Sequence, residues 1–168
     1  TFTTNTDALT SIYDVNWAGE TFTPTTKHTV TEAVLWGYRI GNPGTLTVSV
    51  RATTSNLPSG SDLASGTLDV SAITTGTGGE SLTVSLGAGT ILNASTKYSF
   101  VLRVTGADVN NRLIAKGGTG GGYSGGDGVT SGDSGGTWTA QTWDLYFQDN
   151  GNAISVVRKG LALLLGVG

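Results

Sequence analysis

Apolar and polar residues alternate with a period of two through most of this chain, the period of a pleated strand with one buried face. Val30, Val34, Trp36, Tyr38 and Ile40 share one parity of a long segment, His28 to Ile40. Leu46, Val48, Val50 and Ala52 do the same between Thr45 and Thr53, with Thr47, Ser49 and Arg51 facing outward. Leu68, Val70 and Ala72 repeat the pattern, as do Leu82, Val84 and Leu86, then Tyr98, Phe100, Leu102 and Val104. Shorter strands are expected at Glu20–Thr23 and Arg112–Lys116, and another at Thr137–Gln148 with Trp143, Leu145 and Phe147 on one face.

Turn chemistry separates these runs. Gly41-Asn42-Pro43-Gly44, Asn56-Leu57-Pro58-Ser59-Gly60 and Gly76-Thr77-Gly78-Gly79 punctuate the first half. Gly117 to Gly136 is a Gly-Ser-Asp tract without a periodic face and reads as a long loop. No amphipathic helical window precedes the tail. The expected fold is all-β: an antiparallel β-sandwich, jelly-roll-like because about eight core strands can be drawn, with an immunoglobulin-like topology as second choice. Residues 1–18 read as an N-terminal arm or edge strand, 19–152 as the sandwich, and 153–168 as an apolar C-terminal tail. The expected core holds Trp36, Leu46, Val48, Val50, Phe100, Leu102, Leu145 and Phe147.

Composition narrows the function. The chain has 168 residues, enough for one domain with a real core. It carries a net charge of -3 with its nine basic residues scattered, which argues against a nucleic-acid surface. There is one His, no Cys and no Met. Thiol chemistry and disulfides are therefore excluded, and the missing Met implies a processed chain or a portion of a longer one. The apolar run Leu161–Leu165 is far too short to span a bilayer, so no membrane insertion is expected.

Few residues carry chemistry, so no catalytic residue and no obligatory cofactor is expected. Gly132-Asp133-Ser134-Gly135-Gly136 matches the nucleophile signature of chymotrypsin-like serine proteases, with His28 as base and Asp62 or Asp69 as third member. The match lies in a tract already rich in Gly, Ser and Asp, which favours a plain loop over a serine hydrolase. Asp127 and Asp133 with loop carbonyls could offer oxygens to Ca2+, although the spacing fits no EF-hand. Trp138 and Tyr123 are candidate stacking faces for a sugar. Trp17 also sits at a strand edge, whereas Trp36 and Trp143 share parity with aliphatic neighbours and read as core. Leu161, Leu163, Leu164 and Leu165 need burial, on their own sheet or on a neighbouring subunit, and point to a homo-oligomer.

Several segments together resemble a known family. These are Ala18-Gly19-Glu20-Thr21-Phe22-Thr23-Pro24, Asn56-Leu57-Pro58-Ser59-Gly60, Leu63-Ala64-Ser65-Gly66, Leu92 to Leu102, Gly136-Thr137-Trp138 and Asp144-Leu145-Tyr146-Phe147. Over residues 18 to 150 the chain is similar to the choice-of-anchor type β-sandwich modules of bacterial surface proteins and of tailed-phage virion and tail proteins. The resemblance implies a sandwich fold and a virion or extracellular, cell-surface setting, and supplies no catalytic residues. The expected function is a non-enzymatic structural or assembly module of a virion surface or tail, as a decoration or adhesion subunit. Its partners would be its own copies and other virion or surface proteins. The alternative is a carbohydrate-binding or adhesin module of a secreted bacterial protein.

Overall fold

The structure is a computed structural model that describes residues 1–3, 7–120 and 122–154. Twelve strands form among these residues, and no helix does. They are β1 (Ala8–Ile12), β2 (Trp17–Phe22), β3 (His28–Ile40), β4 (Thr45–Thr54), β5 (Leu57–Asp69), β6 (Glu80–Leu92), β7 (Tyr98–Thr105), β8 (Arg112–Thr119), β9 (Gly128–Ser131), β10 (Thr139–Ala140), β11 (Trp143–Leu145) and β12 (Phe147–Ala153).

They build two antiparallel six-stranded sheets. In sheet I, β8 pairs β1, β3 and β11, while β3 also pairs β6 and β12. Sheet II runs β10-β9-β2-β7-β4-β5. Most connections cross from one sheet to the other, so the expected antiparallel sandwich is what forms. The inward faces meet in one core. Val30, Leu35, Leu82, Val84, Leu92, Leu113, Leu145 and Phe147 come from sheet I, and Phe22, Leu46, Val48, Val50, Phe100 and Leu102 from sheet II. Phe147 ties the sheets together, its ring 5.4 Å from Phe22 and 6.1 Å from Phe100.

Trp36 departs from its expected place. The register of β3 against β6 shifts between Val30 and Glu32. Such a bulge adds a residue and exchanges the two faces beyond it. Val30 therefore points inward, and after the bulge Ala33 and Leu35 do. Trp36 falls on the outer face, 5.5 Å from Tyr146, with its indole N–H donating to the Gly78 carbonyl at 2.9 Å. Lys116 donates to the same carbonyl at 3.2 Å, so the Gly-rich turn is pinned against the outside of sheet I.

Other boundaries also move. The turn placed at 56–60 lies one residue earlier: Ser55 and Asn56 both have positive φ and join β4 to β5. Pro58 then sits inside an edge strand, where no ladder hydrogen bond is required of it. The tract read as one long loop contains the last residues of β8 and all of β9. The expected strand Thr137–Gln148 is divided among β10 in sheet II and β11 and β12 in sheet I. Near the N-terminus, β1 is an edge strand on β8, and Phe2 is buried and exchanges both backbone hydrogen bonds with Phe147 at 2.8 Å.

Candidate functional site

Two clefts carry the polar chemistry. The larger, about 590 Å³, is lined by Thr1, Thr23–Thr26, His28, Tyr123 and, from β12, Asp149, Asn150, Gly151 and Ala153. His28 Nδ1 lies 3.0 Å from the Thr26 carbonyl, and Nε2 faces Asp149 Oδ2 at 3.6 Å. Tyr123 belongs to the wall of this cleft. Its ring packs edge-on against Phe147 at 5.2 Å, and its hydroxyl accepts from the Thr23 N–H at 3.3 Å. Burial, partly offset by that N–H, pushes the Tyr123 phenol above its ordinary range.

The smaller cleft, about 270 Å³, lies at the outer face of sheet II. It is lined by Asp14, Trp17, Arg103–Ala107 and Ser134. Trp17 of β2 and Arg103 of β7 hold outward positions in this lining, and Ser49 and Arg51 of β4 lie beside them, next to the cleft rather than in its wall. The Arg103 and Arg51 guanidinium carbons stand 5.4 Å and 5.9 Å from the centre of the Trp17 ring, within cation–π range. The bulged part of β5 supplies Asp62. Its carboxylate accepts from Arg51 Nε at 2.7 Å, Arg103 Nη2 at 2.7 Å and Ser49 Oγ at 2.8 Å. Partial burial raises the Asp62 pKa, but the bonds from Arg103, Arg51 and Ser49 outweigh it and hold the carboxyl below its usual range.

The loop after β9 closes against this platform. Gly135 has a φ of +84, and a Cβ there would fall 2.9 Å from the Trp17 ring and 3.5 Å from that of Trp138. Only Gly permits this approach, and it brings Trp138 beside Trp17. Asp133 organises the loop, accepting from Ser131 Oγ at 2.7 Å and from Thr137 N and Oγ1, each at 2.8 Å. These bonds, led by the Thr137 N–H, hold its carboxyl down at about 2.

The expected site residues are thus distributed. Trp138 stands at the Trp17 platform and Tyr123 in the other cleft, so the two do not form one stacking surface. Asp127 and Asp133 are separated by the whole of β9, at about 3.3 Å per extended residue. No group of three or more possible metal ligands occurs among the described residues. Ser134 lines the Trp17 cleft and His28 the other, so nucleophile and base are apart. The Ser134 N–H, which an oxyanion hole would use, donates to the Val15 carbonyl at 3.0 Å. Leu161, Leu163, Leu164 and Leu165 lie outside the described residues.

Sequence reasoning marked Trp17 as an edge aromatic and Arg51 as outward, but missed their meeting with Arg103 and Asp62. The available signal was two Arg on outward positions of separate strands, Arg51 and Arg103. Compared with known proteins, the chain matches no family model and no curated protein.

Proposed function

We propose that the chain is a non-catalytic adhesion module, displayed on a virion or bacterial surface, that binds glycans on the outer face of sheet II. The observation that supports this reading is the platform of Trp17, Arg51 and Arg103 with Trp138 alongside. Sugar binding needs a flat apolar face next to fixed polar groups, because a pyranose has an apolar face and a rim of hydroxyls. Trp17 supplies the first, and the guanidiniums, Asp14 and Ser134 supply the second. The sandwich acts as the rigid support that such a site requires.

The experiment is a broad glycan array with the purified chain. Binding that is lost in Trp17→Ala and weakened in Trp138→Ala, with the β-rich circular dichroism retained, is the expected result. Silence across the array would favour the assembly role, in which the chain works through subunit contacts alone. A fluorophosphonate probe should leave Ser134 unlabelled, and stoichiometric labelling abolished by His28→Ala would overturn the non-catalytic reading.

A further inference from the structure

The Trp17 platform holds unspent hydrogen-bond donors. Two guanidinium groups, Arg51 and Arg103, share one carboxylate, Asp62. Their side chains are only 16% and 23% exposed, so both guanidiniums are partly withdrawn from water. Arg51 spends Nε on Asp62, and Arg103 spends Nη1 on Ser49 and Nη2 on Asp62. Among the described residues, Nη1 and Nη2 of Arg51 and Nε of Arg103 donate to no protein acceptor. A guanidinium with two free nitrogens on one edge is a planar fork, which matches the two coplanar oxygens of a carboxylate.

Asp14 also lines this cleft, and it is exposed. Its carboxylate pairs with neither Arg, so it leaves their free nitrogens unspent while offsetting their charge, and it accepts from hydroxyls. Ser134 adds a hydroxyl at the same rim. The cleft therefore offers the Trp17 ring, one guanidinium edge from Arg103 and groups that accept from hydroxyls, and the free fork of Arg51 lies beside it over the same ring. Its volume of about 270 Å³ is just below the range of about 300–1,000 Å³ typical of small-molecule sites, which suits a single sugar residue at a chain end or branch.

We propose that this face recognises a sugar bearing a carboxylate, a uronic or sialic acid, with its ring against Trp17 and its carboxylate on the fork of Arg51 and Arg103. The proposal rests on the reading of the chain as a glycan-binding module and specifies its ligand class. Asp62 is then a positioning residue: it holds both guanidiniums beside Trp17 and leaves their outer nitrogens free.

The test titrates the full chain with short galacturonate, glucuronate and sialic-acid oligosaccharides, with their methyl esters, and with neutral galactose and glucose counterparts. Calorimetry gives the affinity, and the Trp17 indole N–H signal reports the place of binding. At least one acid should bind about tenfold more tightly than its ester, a difference that salt raised from about 0.1 to 0.5 M diminishes by screening. Arg51→Lys keeps the charge and loses the fork. It should lower affinity for the acid about tenfold more than affinity for the ester, with the β-rich circular dichroism retained. An ester bound as well as its acid, or a neutral glycan bound in preference, would overturn the carboxylate proposal and leave the module reading standing. An acid bound equally well by Arg51→Lys and Arg103→Lys would also overturn it. Failure of every acid, ester and neutral sugar, here and on the array, would overturn both.

Discussion

Glu20 is the residue whose environment has the largest chemical consequence. It shares inward parity with Ala18 and Phe22, so β2 drives a carboxyl into the space between the sheets. There it is fully buried, and Oε2 accepts from the Leu145 N–H at 2.7 Å while Oε1 has no partner. Burial, opposed by that N–H and reinforced by Asp144 and Asp127, lifts its pKa from 4.5 to about 9. The native state therefore holds a proton that the unfolded chain releases between these two values. The stability it contributes is complete below about pH 4.5 and is lost as pH rises through about 9. Urea melts across this window should show declining stability in the native chain. Glu20→Gln keeps an acceptor for Leu145 without an ionisable group, so its stability should vary much less with pH. An unchanged slope in that variant would mean that another group carries the dependence. Asp133 has the opposite sign: its carboxylate bonds persist until pH falls toward about 2. Asp133→Ala should speed amide exchange at Thr137 and Gly135 and leave the core amides protected.

At the level of elements, the β4–β5 hairpin turns on Ser55 and Asn56, with φ of 51 and 64. Two successive positive values define the type I′ geometry that suits the twist of a hairpin. Asn tolerates this conformation, and Gly tolerates it better. Ser55→Asn combined with Asn56→Gly should raise stability by about 1 kcal/mol in denaturant titration. A loss of stability would show that Ser55 and Asn56 have a role beyond the turn. The edge where β5 meets β6 is constrained more severely. A Cβ on Gly66 would lie 1.8 Å from the Ser85 carbonyl oxygen, so backbone is touching backbone. Gly66→Ala must force these strands of opposite sheets apart. It should cost more than about 2 kcal/mol, with faster amide exchange concentrated in β5 and β6.

Across the whole molecule, the sheets are joined by a central aromatic cluster. Phe147 packs on Phe22, Phe100 and Tyr123, reaching both sheets and the wall of the His28 cleft. Phe147→Leu retains an apolar side chain but forfeits these ring contacts. It should lower stability by about 1–3 kcal/mol in a single cooperative transition seen equally by fluorescence and circular dichroism. Separate transitions would show that the sheets unfold independently. The expected homo-oligomer is tested by removing Leu161–Gly168: light scattering should then report monomers or aggregates, and an unchanged oligomer and melting temperature would exclude the tail as the contact.

The period-two pattern determined the fold class, because burying one strand face requires a second sheet opposite. It also determined the bounds of β3 to the residue and the inward faces of β4 and β7. Local sequence could not supply the bulge in β3, which depends on pairing with β6 and moved Trp36 to the outside. Nor could it reveal β9, four residues inside a Gly-rich tract, too short to show a periodic face, which become a strand because β2 offers a free edge. The constituents of the site were visible only as separate residues: Trp17 at a strand edge, Arg51 on an outward position and Asp62 weighed for a different role. Their meeting was decided by the order of strands in sheet II. Placing β2, β7, β4 and β5 side by side is a property of long-range pairing, and no spacing along the chain records it.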